Sequence, residues 1–195
     1  EAIAGAEPVT VNFGSMLAEQ ASARRLFMLV AQILKYVDAT TPVRFLIAEC
    51  ESAFTLLTAL YYARLFGVER HIDISPLFET VRAFERGPEV IEGALADPHY
   101  LAYIRGRGRL CIQTGYSDAG RYLGQTAAAI AIDRLKIRVG ALLARLGLDD
   151  IELVVFDTHG ESIGRGGHPA SFADRLRYVA SPVSRTSIAA NGIAL

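Results

Sequence analysis

The sequence predicts an α/β fold built on a parallel sheet, with about four β-strands each followed by a long helix. Three observations carry that expectation. Apolar, β-branched runs at 43–48, 71–77, 110–115 and 151–156 are mostly continuous rather than alternating, as strands covered on both faces are. Helical text separates each run from the next, and the order β-α-β-α-β-α-β argues for parallel pairing. Each run then breaks at its C-terminal end into polar residues: Glu49-Cys50-Glu51, Phe78-Glu79-Thr80, Gly115-Tyr116-Ser117-Asp118 and Asp157-Thr158-His159. In a parallel sheet or barrel those ends share one rim, where α/β proteins bind their ligands.

In chain order, residues 1–13 show no clear periodicity. Ser15 is placed as the N-cap of a helix running to about Val37, with Leu26, Leu29, Val30, Ile33 and Val37 on its buried face. Thr41-Pro42 closes that segment, because the residue before proline resists helix. An almost wholly apolar helix, 53–66, follows the first strand. Two helical pieces follow the second, broken at Gly87-Pro88 and again at Asp97-Pro98. The third strand leads into a long apolar helix from about 120 to 146. After the fourth come Gly164-Arg165-Gly166-Gly167 and His168, and Pro169 opens a helix over 170–179.

A chain of 195 residues buries a substantial core as one domain, and 1–195 reads as a single domain. Its composition, 51% hydrophobic and 21% charged, is globular. A net charge of −1 gives no support for a nucleic-acid or membrane-surface partner. Cys50 and Cys111 each end an apolar run and read as buried thiols rather than a disulfide or metal framework. With no basic leader and no membrane-length apolar run, the expected compartment is the cytoplasm. Glu1 in place of an initiator methionine reads as a processed chain or an excerpt.

The chemistry concentrates at the rim. Glu79 and Asp118 are hard oxygen ligands suited to Mg²⁺ or Mn²⁺, a metal that keeps waters and takes further oxygens from a substrate carboxylate or phosphate. The competing explanation is that each acid caps the helix behind it. In the glycine cluster, backbone N–H groups can approach an anion closely, and Arg165 can fork onto a carboxylate or phosphate. The alternative there is a surface turn with a solvated arginine.

Three segments in fixed order carry a resemblance: PLFETVRAFERGPEVIEGALADPHYLAYI (76–104), GYSDAGRYLGQTAAAIAI (115–132) and GESIGRGGHP (160–169). Together they resemble phosphoenolpyruvate carboxylase, over about 45–169. The resemblance implies a portion of a parallel β/α (TIM-like) barrel. It implies a carbon–carbon lyase that condenses phosphoenolpyruvate with bicarbonate, giving oxaloacetate and phosphate with Mg²⁺ or Mn²⁺, in a homo-oligomer. It implies that Glu79 and Asp118 are the metal ligands. Arg165, Gly166, Gly167 and Arg121 are implied to bind substrate, with Arg165, His159 and Asp157 as the catalytic candidates. Four strands do not close a barrel, so the remaining segments are expected from the parent chain.

The departures are specific. Where the family's loop begins FHGRGG, this chain has Phe156-Asp157-Thr158-His159-Gly160-Glu161. Asp157 thus stands for the loop histidine and His159 for its first arginine, a permanent cation replaced by one that titrates near neutrality. Arg121 replaces the lysine of the family's GYSDSGKD box and Tyr122 its aspartate, and the TAHPTE-like segment has no counterpart. Glu161 and His168 are further loop candidates. Two other readings stay open: a degenerate homologue that binds metal and anion without turnover, and another metal-dependent barrel enzyme acting on a small oxo-acid.

Overall fold

The computed structural model describes residues 1–157, 171, 173–174 and 180–195. Strands β1 (Val43–Ile47), β2 (Ile72–Phe78), β3 (Arg109–Thr114) and β4 (Glu152–Asp157) form one sheet in the order β1-β2-β3-β4. Every neighbouring pair is parallel, as the repeated strand-then-acid plan predicts. Among the described residues the sheet is open, not a closed barrel. Helices α1 (Phe13–Ala18) and α2 (Ser22–Tyr36) precede it, and α3 (Ala53–Leu65) joins β1 to β2. Helices α4 (Val81–Leu95) and α5 (Pro98–Arg107) join β2 to β3, α6 (Tyr116–Leu123) and α7 (Gln125–Arg145) join β3 to β4, and α8 (Pro182–Ala190) follows. No helix among the described residues is long and apolar enough to cross a membrane.

The ladders are uneven, and this shapes the rim. β1 pairs with β2 from Val43↔Ile72 to Ile47↔Pro76, and β3 with β4 from Arg109↔Glu152 to Thr114↔Asp157. β2 and β3 pair only at Leu77↔Gln113 and Phe78↔Thr114. Toward the N-terminal ends, α5 supplies what the missing ladder would. The Tyr103 hydroxyl accepts from Ile74 N–H and donates to Ile72 C=O, both at 2.9 Å. Buried Asp73 accepts from Arg107 Nε at 2.9 Å and lies 2.9 Å from Arg109 Nη2. Backbone groups that would otherwise be orphaned in the core are thereby satisfied.

Several helical expectations need correction. Asn12, not Ser15, is the N-cap: its Oδ1 accepts from Ser15 N–H, and the Ser15 hydroxyl accepts from Asn12 N–H, a reciprocal capping box. The chain then breaks at 19–21 before α2, whose buried face carries Phe27, Met28 and Val30, while Leu26, Leu29 and Val37 are exposed. Phe27 stacks on Phe45 of β1 with ring centroids 4.2 Å apart, which fixes the helix rotation. Gly87-Pro88 does not interrupt α4. A Cβ on Gly87 would meet Leu135 at 2.9 Å and the Phe78 ring at 3.3 Å, so close packing on β2 and α7 holds the helix through its proline. The long helix expected at 120–146 is two helices, turned at Gly124 with φ +81°. The helix expected over 170–179 lies largely outside the described residues.

Cys50 and Cys111 are free and buried, and burial pushes both thiols from an ordinary value of 9.0 up to about 11. A thiol whose folded value is raised contributes stability that is complete below pH 9.0 and is lost as pH climbs through about 11. Alkaline denaturation should therefore steepen across that interval, and Cys50→Ala/Cys111→Ala should flatten it. Thiol reagents at pH 8 should label the native protein only at its opening rate.

Candidate functional site

Glu79 is the first residue after β2, and Asp118 lies in the first turn of α6, just past β3. Neither caps its helix. Thr80 caps α4, its Oγ1 accepting from Ala83 N–H at 3.1 Å, and α6 starts from Gly115 with no side-chain cap. Neither acid is an N-cap, while Asp118, in the first turn of α6, complements that helix's dipole. What brings them together is the join between β2 and β3. Gly115 N–H donates to Phe78 C=O at 2.7 Å, laying the start of α6 against the end of β2. A Cβ on Gly115 would fall 2.4 Å from Glu79 Cβ and 3.1 Å from its Cα. With φ −89°, Gly115 is required by this close approach and not by its backbone conformation.

The electrostatics follow from that approach. Burial, then the negative charge of Asp118, raises the Glu79 carboxyl above the ordinary glutamate range. Glu49, just past β1 and in the left-handed region at φ 51°, acts both ways: its backbone N–H favours the Glu79 anion while its charge opposes it. A carboxyl whose proton affinity is raised by burial and by a second carboxylate beside it is relieved by a cation. Among the described residues no group of three or more His, Cys, Asp or Glu side chains forms a cage. The pair fits Mg²⁺ or Mn²⁺, which keeps waters and accepts substrate oxygens, better than a metal that demands four protein ligands.

The other candidates divide. Arg121 is two-thirds exposed and pairs with Asp118 at 3.4 Å, so it stands beside the carboxylates. Asp157 ends β4, but its side chain is buried in an ion pair with Lys136 of α7. Arg165, His159, Gly166, Gly167, Glu161 and His168 lie outside the described residues. The sequence reading missed Lys136 and passed over Glu49 as a site residue. A signal for Lys136 was present: it is the one charge on the helical face made by Ile132, Leu135, Val139 and Leu143, all buried.

A family model described as Phosphoenolpyruvate carboxylase matches residues 3–174. The chain belongs to the phosphoenolpyruvate carboxylase family. Among similar proteins, the phosphoenolpyruvate carboxylase of Hahella chejuensis is 36% identical over 118 residues, 60% of this chain and 13% of that protein. The phosphoenolpyruvate carboxylase of Thermus thermophilus is 35% identical over 125 residues, 60% of this chain and 14% of its own. That of Pseudomonas syringae pv. syringae is 33% identical over 129 residues, 66% and 14% respectively. The matched stretch therefore spans 13–14% of the length of these phosphoenolpyruvate carboxylases.

Two substitutions test the local construction. Gly115→Ala should cost about 1–3 kcal/mol, the usual penalty of forced overpacking, and should weaken Mn²⁺ binding by moving Glu79; urea denaturation and metal titration measure the two effects. Lys136→Met leaves the Asp157 carboxylate buried without its ammonium partner and should cost about 3–5 kcal/mol. An unfolding midpoint equal to that of the unmodified protein would show that the pair contributes no net stabilisation.

Proposed function

We propose that this chain is part of a TIM-type β/α barrel that carboxylates phosphoenolpyruvate with bicarbonate, giving oxaloacetate and phosphate, with Mg²⁺ or Mn²⁺ as cofactor. The observation that carries this reading is the approach of Glu79 and Asp118 at the ends of adjacent parallel strands. They are the acids of the PLFET and GYSD segments, and their charges are coupled. Glu79 and Asp118 would hold the cation, which when bound supplies positive charge against the developing enolate and the substrate phosphate. Arg121, which pairs with Asp118, would meet the phosphate. Arg165 would fork onto phosphate or bicarbonate, with the Gly166 and Gly167 N–H groups adding donors. Bicarbonate would attack phosphorus, displacing the enolate and forming carboxyphosphate; that would break down to CO₂ and phosphate, and the enolate would take up the CO₂. His159, in place of an arginine, would add positive charge when protonated.

The test is oxaloacetate formation by the full-length gene product from phosphoenolpyruvate, bicarbonate and Mn²⁺. Loss of outer groups at metal sites already costs about 10–100-fold in affinity, so Asp118→Asn should weaken Mn²⁺ binding by at least that much with the fold intact. Arg165→Lys keeps the charge but loses the fork, and should lower turnover with stability almost unchanged. Unchanged Mn²⁺ affinity in Asp118→Asn would sink the metal reading. A second reading, a homologue that binds metal and anion without turnover, is favoured by His159 at an arginine position. Mn²⁺ and phosphate binding without oxaloacetate would select it.

A further inference from the structure

The Lys136–Asp157 ion pair plays no part in the chemistry above, and its burial calls for a reason. Each side chain is 2% exposed, and among the described ion pairs this is the one with both partners so deeply buried. Taking two charges out of water commonly costs more than their attraction returns, so such a pair is a poor way to gain stability. Apolar residues would suit the place, since Ile132, Leu135, Val139 and Leu143 on the same face of α7 are fully buried.

The pair's position in the fold is informative. Asp157 closes β4 and is the register partner of Thr114, which is in turn the partner of Phe78. Phe78, Thr114 and Asp157 are therefore the last row of the sheet. Glu79 directly follows the first of them, and Asp118 comes shortly after the second. From the other side, Lys136 stands on the helix into which Asp118's own helix leads. Tyr116 Oη donates to Gln125 C=O at 3.1 Å, tying the start of α6 to the start of α7. β3, α6, α7 and β4 thus form a circuit, joined along the β3–β4 ladder and again where Lys136 meets Asp157.

We propose that Lys136 is a positioning residue for the Glu79–Asp118 metal centre. Its ion pair with Asp157 fixes α7 against the last row of the sheet and so sets the separation of the two carboxylates. A charged hydrogen bond has one short, directional geometry, whereas an apolar contact at the same place would let helix and strand end slide. The inference deepens the metal reading and rests on it.

The experiment uses the full-length gene product and reads Mn²⁺ affinity, by titration with the metal alone, beside thermal unfolding. The variants are Lys136→Arg, Asp157→Asn and the apolar pair Lys136→Met/Asp157→Leu. The apolar pair should unfold at or above the unmodified transition yet bind Mn²⁺ roughly tenfold more weakly, the scale of lost outer-shell support. Lys136→Arg, which keeps the charge, should bind Mn²⁺ more tightly than the apolar pair. A folded apolar pair with unmodified Mn²⁺ affinity overturns the proposal and leaves the ion pair a structural feature. Should that variant not fold, near-isosteric Asp157→Asn, titrated below its own transition, decides in the same way. If the unmodified protein binds no Mn²⁺, the metal reading itself falls. If Asp118→Asn abolishes binding and the pair variants do not weaken it, this proposal alone falls.

Discussion

The rim depends on a join two residue pairs long. β2 and β3 meet at Leu77↔Gln113 and Phe78↔Thr114, extended by the hydrogen bond from Gly115 N–H to Phe78 C=O. Toward their N-terminal ends, Tyr103 and the Asp73 network satisfy β2 where it has no register partner in β3. The two strands are paired only at the end where Glu79 and Asp118 leave the sheet. Here a glycine at 115 lets the backbone of one strand end press against the Glu79 side chain of the other. The coupling of the two carboxylates follows from that close approach.

Much of this was legible in the sequence, for a definite reason. Strands buried on both faces leave continuous apolar runs, and the four runs fall within a residue or two of β1–β4. Chain order then put Glu79, Asp118 and Asp157 on one rim. What was not legible depends on tertiary contacts. Gly87-Pro88 is a breaker in isolation, but the same absent Cβ admits Leu135 and Phe78, and packing holds α4 together. The α2 face was misread because Phe27 stacks on Phe45, a contact no periodicity shows. The α6–α7 turn hangs on one glycine inside text that otherwise reads as helix. The loop residues Arg165 and His159 lie outside the described residues, so their roles rest on the family's motifs.

Three acids of this sheet show how their surroundings sort them. Asp73, buried toward the N-terminal ends of the strands, is held by Arg107 and Arg109. Asp157, buried at the rim, is held by Lys136. Both are compensated by cations, as buried charges in a stable fold usually are. Glu79 instead faces another carboxylate, and its carboxyl is raised for that reason as well as by burial. Glu79 is half-buried and set against Asp118, whose own partner is the exposed Arg121, so among the described residues the two carboxylates have one surface cation beside them. A carboxyl raised by burial and by a specific charged neighbour at a strand-end rim is a functional-site candidate.

Asp157, at the place the resemblance gives to the family's loop histidine, is met by the buried ammonium of Lys136, 21 residues earlier in the chain on α7. An unmatched carboxylate there would be strongly destabilising, and so would an unmatched lysine in the apolar face of α7. Each charge is thus matched by the other in a setting that penalises an unmatched one. Glu79, Asp118 and Gly115, which build the carboxylate pair, are all in place beside it. The end of β4 is thus held to the buried face of α7 on the same rim as the carboxylate pair.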